Sequence, residues 1–410
     1  MRVVADARDV VIVGGGPAGA TTALALVHAA PHLARRVVLV EKAWYPRDKP
    51  CAGALGERGD ALLRELDVAV DVPSARVDGM SFRGSFGESV ARPGPIGRVV
   101  RRIEFDHALI RAVASRGVEV REGVRVEGVR DDEGRGALVR TNAGDLEAQV
   151  VVGCDGVGSS MRKALGLGSG ETRAQVIEVD TEPVGEDRDR SLLHFDSCDR
   201  RIHGYAWDFP TLVDGRELVC RGIYHLKGSK SGTEGKKDGP DLAQLLAERL
   251  EGMGIDPARC KNKRYAERGF EPLGRVGRGR QMLVGEAAGI DPATGEGIAQ
   301  AIEFGVLAGR FLARALAESM PRSAIGDAWQ RVVGTSRLAR DLRIRCRLMG
   351  LFYGASRDDV ERFLAESPDA LFVGSQHFAA QRYDILRLGD VLVRGGAHVL
   401  AGCVRRVLAG

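Results

Sequence analysis

A short apolar run, Val10–Val13, leads directly into Gly14-Gly15-Gly16-Pro17-Ala18-Gly19, and an Ala/Leu-rich stretch from Thr21 to Ala30 follows. That order is a strand, a tight turn and a helix. A second apolar run, Val37–Val40, ends at Glu41, which completes a βαβ unit at the start of the chain. Gly14 permits the turn, Gly16 lets a pyrophosphate approach the backbone, and Gly19 lets the helix pack closely on the sheet. The helix start then offers free N–H groups and a positive dipole end to phosphates. Glu41 lies 22 residues after Gly19, where a carboxylate accepts hydrogen bonds from both ribose hydroxyls. An acid there favours an unphosphorylated ribose, hence FAD or NAD. Pro17, Ala18 and Lys42 complete the expected cofactor contacts of this unit.

Further along, buried-strand patterns return at Val150–Val152 and Met282–Val284, each followed by glycines. The first continues as Gly153-Cys154-Asp155-Gly156, the second as Gly285-Glu286-Ala287-Ala288-Gly289 and then Asp291 to Ile298 through Gly295 and Gly297. Helical patterns are expected over 60–66, 105–115, 241–252 and 297–318, with a small meander over 118–141. Alternating, glycine-rich stretches at 73–103 and several β-like runs at 173–225 point to a second sheet. Lys227–Gly239 reads as a polar, solvated loop, and 324–410 as mostly helical. The expected fold class is α/β: a Rossmann-like domain for FAD or NAD binding, split in sequence, with an inserted α+β domain. Its pieces are 1–72, 104–170 and 276–320. A mixed-sheet substrate domain takes 73–103 and 171–275, and a helical C-terminal region takes 321–410.

In their order and spacing, the three glycine motifs resemble the flavoprotein monooxygenase superfamily, of the para-hydroxybenzoate hydroxylase type, over about three quarters of the chain. That resemblance implies FAD. It implies that Asp155 braces the cofactor region and that Gly285 and Glu286 meet the ribityl chain. It also implies that Gly295, Gly297 and Ile298, at a helix start, approach the flavin ring. Glu286 stands where the family usually has Asp. Arg102 matches the family's arginine ahead of the Phe-Asp pair and is the expected phosphate ligand, with Arg101 able to exchange roles with it. Within the superfamily, Pro46–Gly53 around Cys51, Gly204–Pro210 and Pro292–Gly305 are similar to the geranylgeranyl reductase family. The resemblance places the Cys51 loop at the flavin and makes the Tyr205-x-Trp207-x-Phe209 strand a wall of the substrate cavity. Alternate strand positions share a face, so the three rings form one aromatic surface, with core filling the equal alternative for Phe209. Cys51, Tyr205 and Trp207 are the expected catalytic set. Cys51 is either a small buried thiol or one made reactive by Arg47 and Lys49.

The expected function is therefore an FAD-dependent oxidoreductase acting on an apolar or lipid substrate. The leading reading is geranylgeranyl-reductase-like saturation of C=C bonds by hydride from reduced flavin. The alternatives are a monooxygenase of specialised metabolism working through a flavin hydroperoxide, and a flavin-binding protein without turnover. A second Gly-x-Gly-x-x-Gly is missing, so NAD(P)H or another electron carrier is expected to bind only transiently.

A net charge of +4 over 410 residues makes no case for nucleic acid. Seven scattered cysteines without CxxC spacing argue against a zinc site and a disulfide framework. The first residues lack a signal-peptide layout, and no stretch is apolar enough to span a bilayer, so the expected location is cytoplasmic. The C-terminal segment from Asp384 mixes apolar residues with arginines and has no acid after Asp390. It suits an anionic bilayer surface or, equally, a helix capping the catalytic domain. Nothing in the sequence sets the oligomeric state.

Overall fold

The computed structural model describes residues 6–132, 136–168, 170, 173–185, 187, 189–227, 240–354, 356–379 and 385–409; most of the polar stretch 227–239 lies outside them. Strand β1 (Asp6–Val13) sits inside an eight-stranded sheet. It pairs in parallel with β2 (Val37–Val40) on one side and β3 (Leu146–Gly153) on the other. β8 (Gln281–Leu283) joins β3, also in parallel. Parallel strands covered on both faces need unbroken apolar runs, and Val10–Ile12, Val37–Leu39 and Val150–Val152 are fully buried. Helix α1 (Pro17–Ala29) covers this sheet and packs along α3 (Ile298–Ala317). A Cβ on Gly305 would fall 2.0 Å from Thr21 Oγ1, and one on Gly309 2.6 Å from Ala25 Cβ, so these two glycines set the close approach. Helix α2 (Arg102–Ser115) also packs against α1.

The second layer is a seven-stranded mixed sheet. Its order runs β7 (Lys263–Arg268), β4 (Arg173–Thr181), β6 (Arg216–Lys227), β5 (Gly204–Val213), Leu192–Asp196, Gly79–Gly84 and Gly87–Ala91. The last hairpin is remote in sequence and enters beside Leu192–Asp196 in parallel. A small sheet of Ala54–Gly56, Gly97–Val100 and Ser74–Val77 has its own register. After α3 the chain is helical: α4 (Arg337–Tyr353), helices over Arg357–Glu366 and Pro368–Ala379, and α5 (Ile385–Ala409). The protein is thus an α/β fold with an added mixed sheet and a helical C-terminal region.

Candidate functional site

One cavity of about 1530 Å³ runs between the two large sheets and the C-terminal helices. A single small-molecule site takes roughly 300–1,000 Å³, so there is room for a dinucleotide and a second ligand. At one end lie Gly14, Gly16, Pro17, Ala18, Glu41, Lys42 and Arg102. Gly14 has φ +103° and sits where a Cβ would strike the Cys154 carbonyl at 2.5 Å. Gly19 supports the turn from behind, with only 1.9 Å between a would-be Cβ and Gly14 O. A Cβ on Gly16 would meet only guanidinium nitrogens, Arg102 at 3.7 Å and Arg47 at 3.9 Å. Helix α1 begins at Gly16 with no side-chain cap, so its first N–H groups remain for a ligand. Both arginines are aimed by buried Asp106: Arg102 bidentate at 2.7 Å and Arg47 at 3.0 Å. Arg101 instead forms a bidentate pair with Asp180 at 3.0 Å, which removes it from the phosphate end. Glu41 accepts from Gly15 N–H at 2.8 Å and Ala43 N–H at 3.1 Å, and lone pairs remain for hydroxyls.

The middle of the cavity is bounded by Asp155, Glu286 and the loop before α3. Asp155 accepts from Ser159 Oγ (2.6 Å), Ser160 N (2.7 Å) and Met161 N (3.2 Å), so it braces its own turn. Glu286 reaches Lys49 Nζ at 3.1 Å through Oε2, while its buried Oε1 has no partner. The longer side chain is thus taken up by a lysine from the Cys51 loop. Three tyrosine hydroxyls donate to three successive carbonyls of the 292–294 loop. Tyr224 reaches Pro292 O at 3.1 Å, Tyr353 reaches Ala293 O at 2.7 Å, and Tyr205 binds Thr294 O. Buried Arg345 grips the same loop through Asp291 and, at 2.9 Å, Glu296. Gly295, Gly297 and Ile298 are thereby held against the cavity, at an α3 start that no side chain caps.

The far wall is one face of the seven-stranded sheet. Strand register aligns Trp207, Gly222, Glu178 and Lys263 in one row, and Tyr205, Tyr224, Val176 and Tyr265 in the next. Tyr205 and Tyr224 stack at 5.3 Å, and Phe195 meets Tyr205 and Phe209 edge-on at 5.3 and 5.2 Å. Phe209 lines the cavity with Tyr205 and Trp207. The Trp207 indole lies over Gly222, where a Cβ would sit 2.2 Å from the ring. With its hydroxyl committed to Thr294, Tyr205 offers the cavity a ring and no free proton.

Of the two readings of Cys51, its surroundings favour the buried thiol. Burial pushes its thiol up, and the cation acting on it is Arg102. Arg47 and Lys49 are engaged by Asp106 and Glu286, so Cys51 is a neutral thiol and not an activated nucleophile. Sequence reasoning also missed Arg47 as a partner of Arg102, and it missed Glu178, Glu267 and Tyr265 on the wall. The last two share a face of β7 by two-residue spacing, a signal with no meaning until β7 is paired with β4.

The donor set fits a dinucleotide flavin: an uncapped helix start beside two arginines, an open glycine cradle, and an unpartnered carboxylate oxygen midway. Residues 7–328 match the FAD binding domain family. The chain belongs to that family. It is an FAD-dependent oxidoreductase. Menaquinone reductase of Mycobacterium tuberculosis is 29% identical over 352 residues, covering 81% of this chain and 83% of that protein. Digeranylgeranylglycerophospholipid reductase of Methanosarcina mazei is 29% identical over 322 residues, 74% of each. The solved geranylgeranyl bacteriochlorophyll reductase-like protein of Thermoplasma acidophilum has the same fold, with a TM-score of 0.66 at 21% identity. That likeness covers 97% of this chain and 98% of the other, so it continues through the C-terminal helices, beyond the reach of the sequence motifs.

Proposed function

We propose that this FAD-binding chain saturates carbon–carbon double bonds of an isoprenoid-like substrate. The observation that carries the reading is the continuity of the cavity. It passes from the dinucleotide turn, by Cys51, to the aromatic wall, and on along Leu348, Phe352, Leu371 and Val391 of the C-terminal helices. The digeranylgeranyl lipid for which one reductase relative is named carries isoprenoid chains, which suit such a lining. In this reading 1–72, 104–170 and 276–320 hold the cofactor, 73–103 and 171–275 give the substrate wall, and 321–410 closes the cavity.

Arg102, Arg47 and the N–H groups of α1 hold the pyrophosphate, Glu41 the ribose, and Glu286 the ribityl hydroxyls. Gly295, Gly297 and Ile298 border the ring. Bound and reduced by a nicotinamide nucleotide or another carrier, FAD supplies hydride; the redox chemistry is the cofactor's. Tyr205, Trp207 and Phe209 hold the alkene flat against the sheet and exclude water. Alignment is the protein's main contribution.

No described helix is long and apolar enough to cross a membrane. Yet Leu386, Val393 and Leu400 of α5 are 86%, 72% and 66% exposed, while Leu388, Val391 and Val399 of the same helix line the cavity. Exposed Ile344 and Leu348 on α4 also border it. An anionic lipid surface against the exposed side of α5 would then lie next to the substrate channel. Flotation with anionic vesicles should carry the intact chain, and truncation at 388 should abolish it; equal flotation removes this contact.

The function itself is tested by anaerobic mixing of the reduced protein with a polyprenyl compound. Reoxidation of the flavin with a saturated product is expected. Turnover that requires dioxygen would replace the reductase with a monooxygenase.

A further inference from the structure

Saturating an alkene requires a proton as well as a hydride, and the wall holds a cavity-lining carboxyl with a shielded oxygen that no group engages. We propose that Glu267 donates that proton, an inference that rests on the reductase reading. Glu267 lies on β7, two residues from Tyr265 and opposite Ala174 of β4, and it lines the cavity. Its Oε2 is shielded from solvent and has no hydrogen-bond partner. A Cβ on Gly295 would fall 2.7 Å from that oxygen, so the carboxyl stands directly over the loop before α3. It is therefore placed between the residues assigned to the flavin ring and the aromatic wall.

The other proton-bearing groups of this wall are engaged elsewhere. Tyr205, Tyr224 and Tyr353 donate to the 292–294 carbonyls. Tyr265 donates to Glu178 Oε2 at 3.1 Å, and Cys51 N–H donates to Glu178 Oε1 at 2.9 Å. Glu178 thus has both oxygens occupied and does not border the cavity. The Trp207 Nε1–H is unpartnered, but an indole is far too weak an acid. Cys51 is the remaining rival, a neutral thiol held by Gly53 N–H at 3.4 Å.

A carboxylate with a shielded, unpartnered oxygen is costly, whereas a neutral carboxyl keeps an O–H to give. After burial, the strongest influences on Glu267 are Glu286, Asp291 and Glu178, which raise its carboxyl, and Lys49, which lowers it. Burial first, and then these three acids, push its carboxyl well above the usual carboxylate range, the direction a proton donor requires. The balance is then simple. Hydride with its two electrons comes from reduced flavin and forms one C–H bond as the π bond breaks. Glu267 O–H breaks to form the other. The carboxylate left behind recovers a proton from solvent on the side where Lys49 is 40% exposed.

The test has two parts. Infrared spectra of the resting FAD-loaded protein at pH 7 should show a protonated-carboxyl C=O band that E267Q lacks. In single turnover, E267Q should keep its rate of flavin reduction and its affinity for the polyprenyl compound. It should lose roughly 10²–10⁴-fold in alkene-driven anaerobic reoxidation, the usual worth of a general acid, and E267D should recover part of it. An absent band, or wild-type reoxidation in E267Q together with its loss in C51A, would overturn the assignment to Glu267. If the wild-type protein itself does not reoxidise anaerobically, the reductase reading fails, and the donor role fails with it, whatever the spectrum shows.

Discussion

Glu178, which accepts from Cys51 N–H, is buried with its carboxyl pushed up to about 7, and replacing it with glutamine gives a quantitative check on the wall. Its side chain is 2% exposed on β4. Burial, aided by Asp180, pushes its carboxyl from 4.5 up to about 7 against the pull of Tyr265, Cys51 N–H and Lys263. Between those values the folded chain keeps a proton that the unfolded chain releases. The associated stability is therefore fully present below 4.5 and is lost as pH rises through 7. At ~1.4 kcal/mol per pH unit, the loss amounts to about 3 kcal/mol. The glutamine of E178Q never ionises, and its amide oxygen still accepts from Cys51 N–H while its NH₂ faces the Tyr265 oxygen. E178Q should thus exceed the wild type by about 1 kcal/mol at pH 5 and about 3 kcal/mol at pH 9. With an unfolding entropy of roughly 2.1 cal/mol/K per residue over this chain, the larger figure corresponds to a Tm rise of about 4 °C. Calorimetry of the FAD-loaded proteins from pH 5 to 9 measures it. Parallel Tm curves, or E178Q less stable at every pH, would refute the reasoning by showing that hydrogen-bond geometry outweighs the buried charge.

Three further outcomes follow from the same geometry. Arg47→Gln leaves Asp106 paired with Arg102 but removes one phosphate donor, so FAD should bind about 10–100-fold more weakly, at roughly 1.5–3 kcal/mol for a charged hydrogen bond; flavin titration giving an unchanged Kd would exclude Arg47 from the site. Gly222→Ala drives a methyl into the Trp207 ring, which should cost about 1–3 kcal/mol and change tryptophan emission while FAD affinity holds; an unaltered spectrum would mean that the indole does not rest on Gly222. Cys51, with its thiol pushed up by burial, should be alkylated at pH 8 more slowly than free glutathione, because the thiolate is the reacting form; site-resolved mass spectrometry showing equal or faster rates would restore the reactive-thiol reading.

The fold was largely legible because its signals are local. Val10–Val13, Gly14–Gly19 and Val37–Glu41 are contiguous, and Gly14 and Gly19 answer to contacts on the adjoining strand or a few residues away. Tyr205, Trp207 and Phe209 were legible for the same reason, since period-two spacing on one strand needs no partner. What escaped depends on pairing between distant strands. Glu178 and Glu267 are 89 residues apart, yet β4 and β7 lie side by side, and the register decides which carboxyl has partners. Further along β4, Glu178 comes under Tyr265 and the Cys51 loop. Opposite Ala174, Glu267 leaves one oxygen with no side chain to bond it. For Cys51 the sequence left two readings open, because Arg47 and Lys49 are its close neighbours in the chain, but their charges are turned toward Asp106 and Glu286. Burial then outweighs the remaining cation, Arg102. The same physics sorts the three acids. Glu178 has donors on both oxygens, Glu286 has a lysine on one oxygen and nothing on the other, and Glu267 keeps a shielded oxygen without a partner beside Gly295, which is what the proposed donor role requires of it.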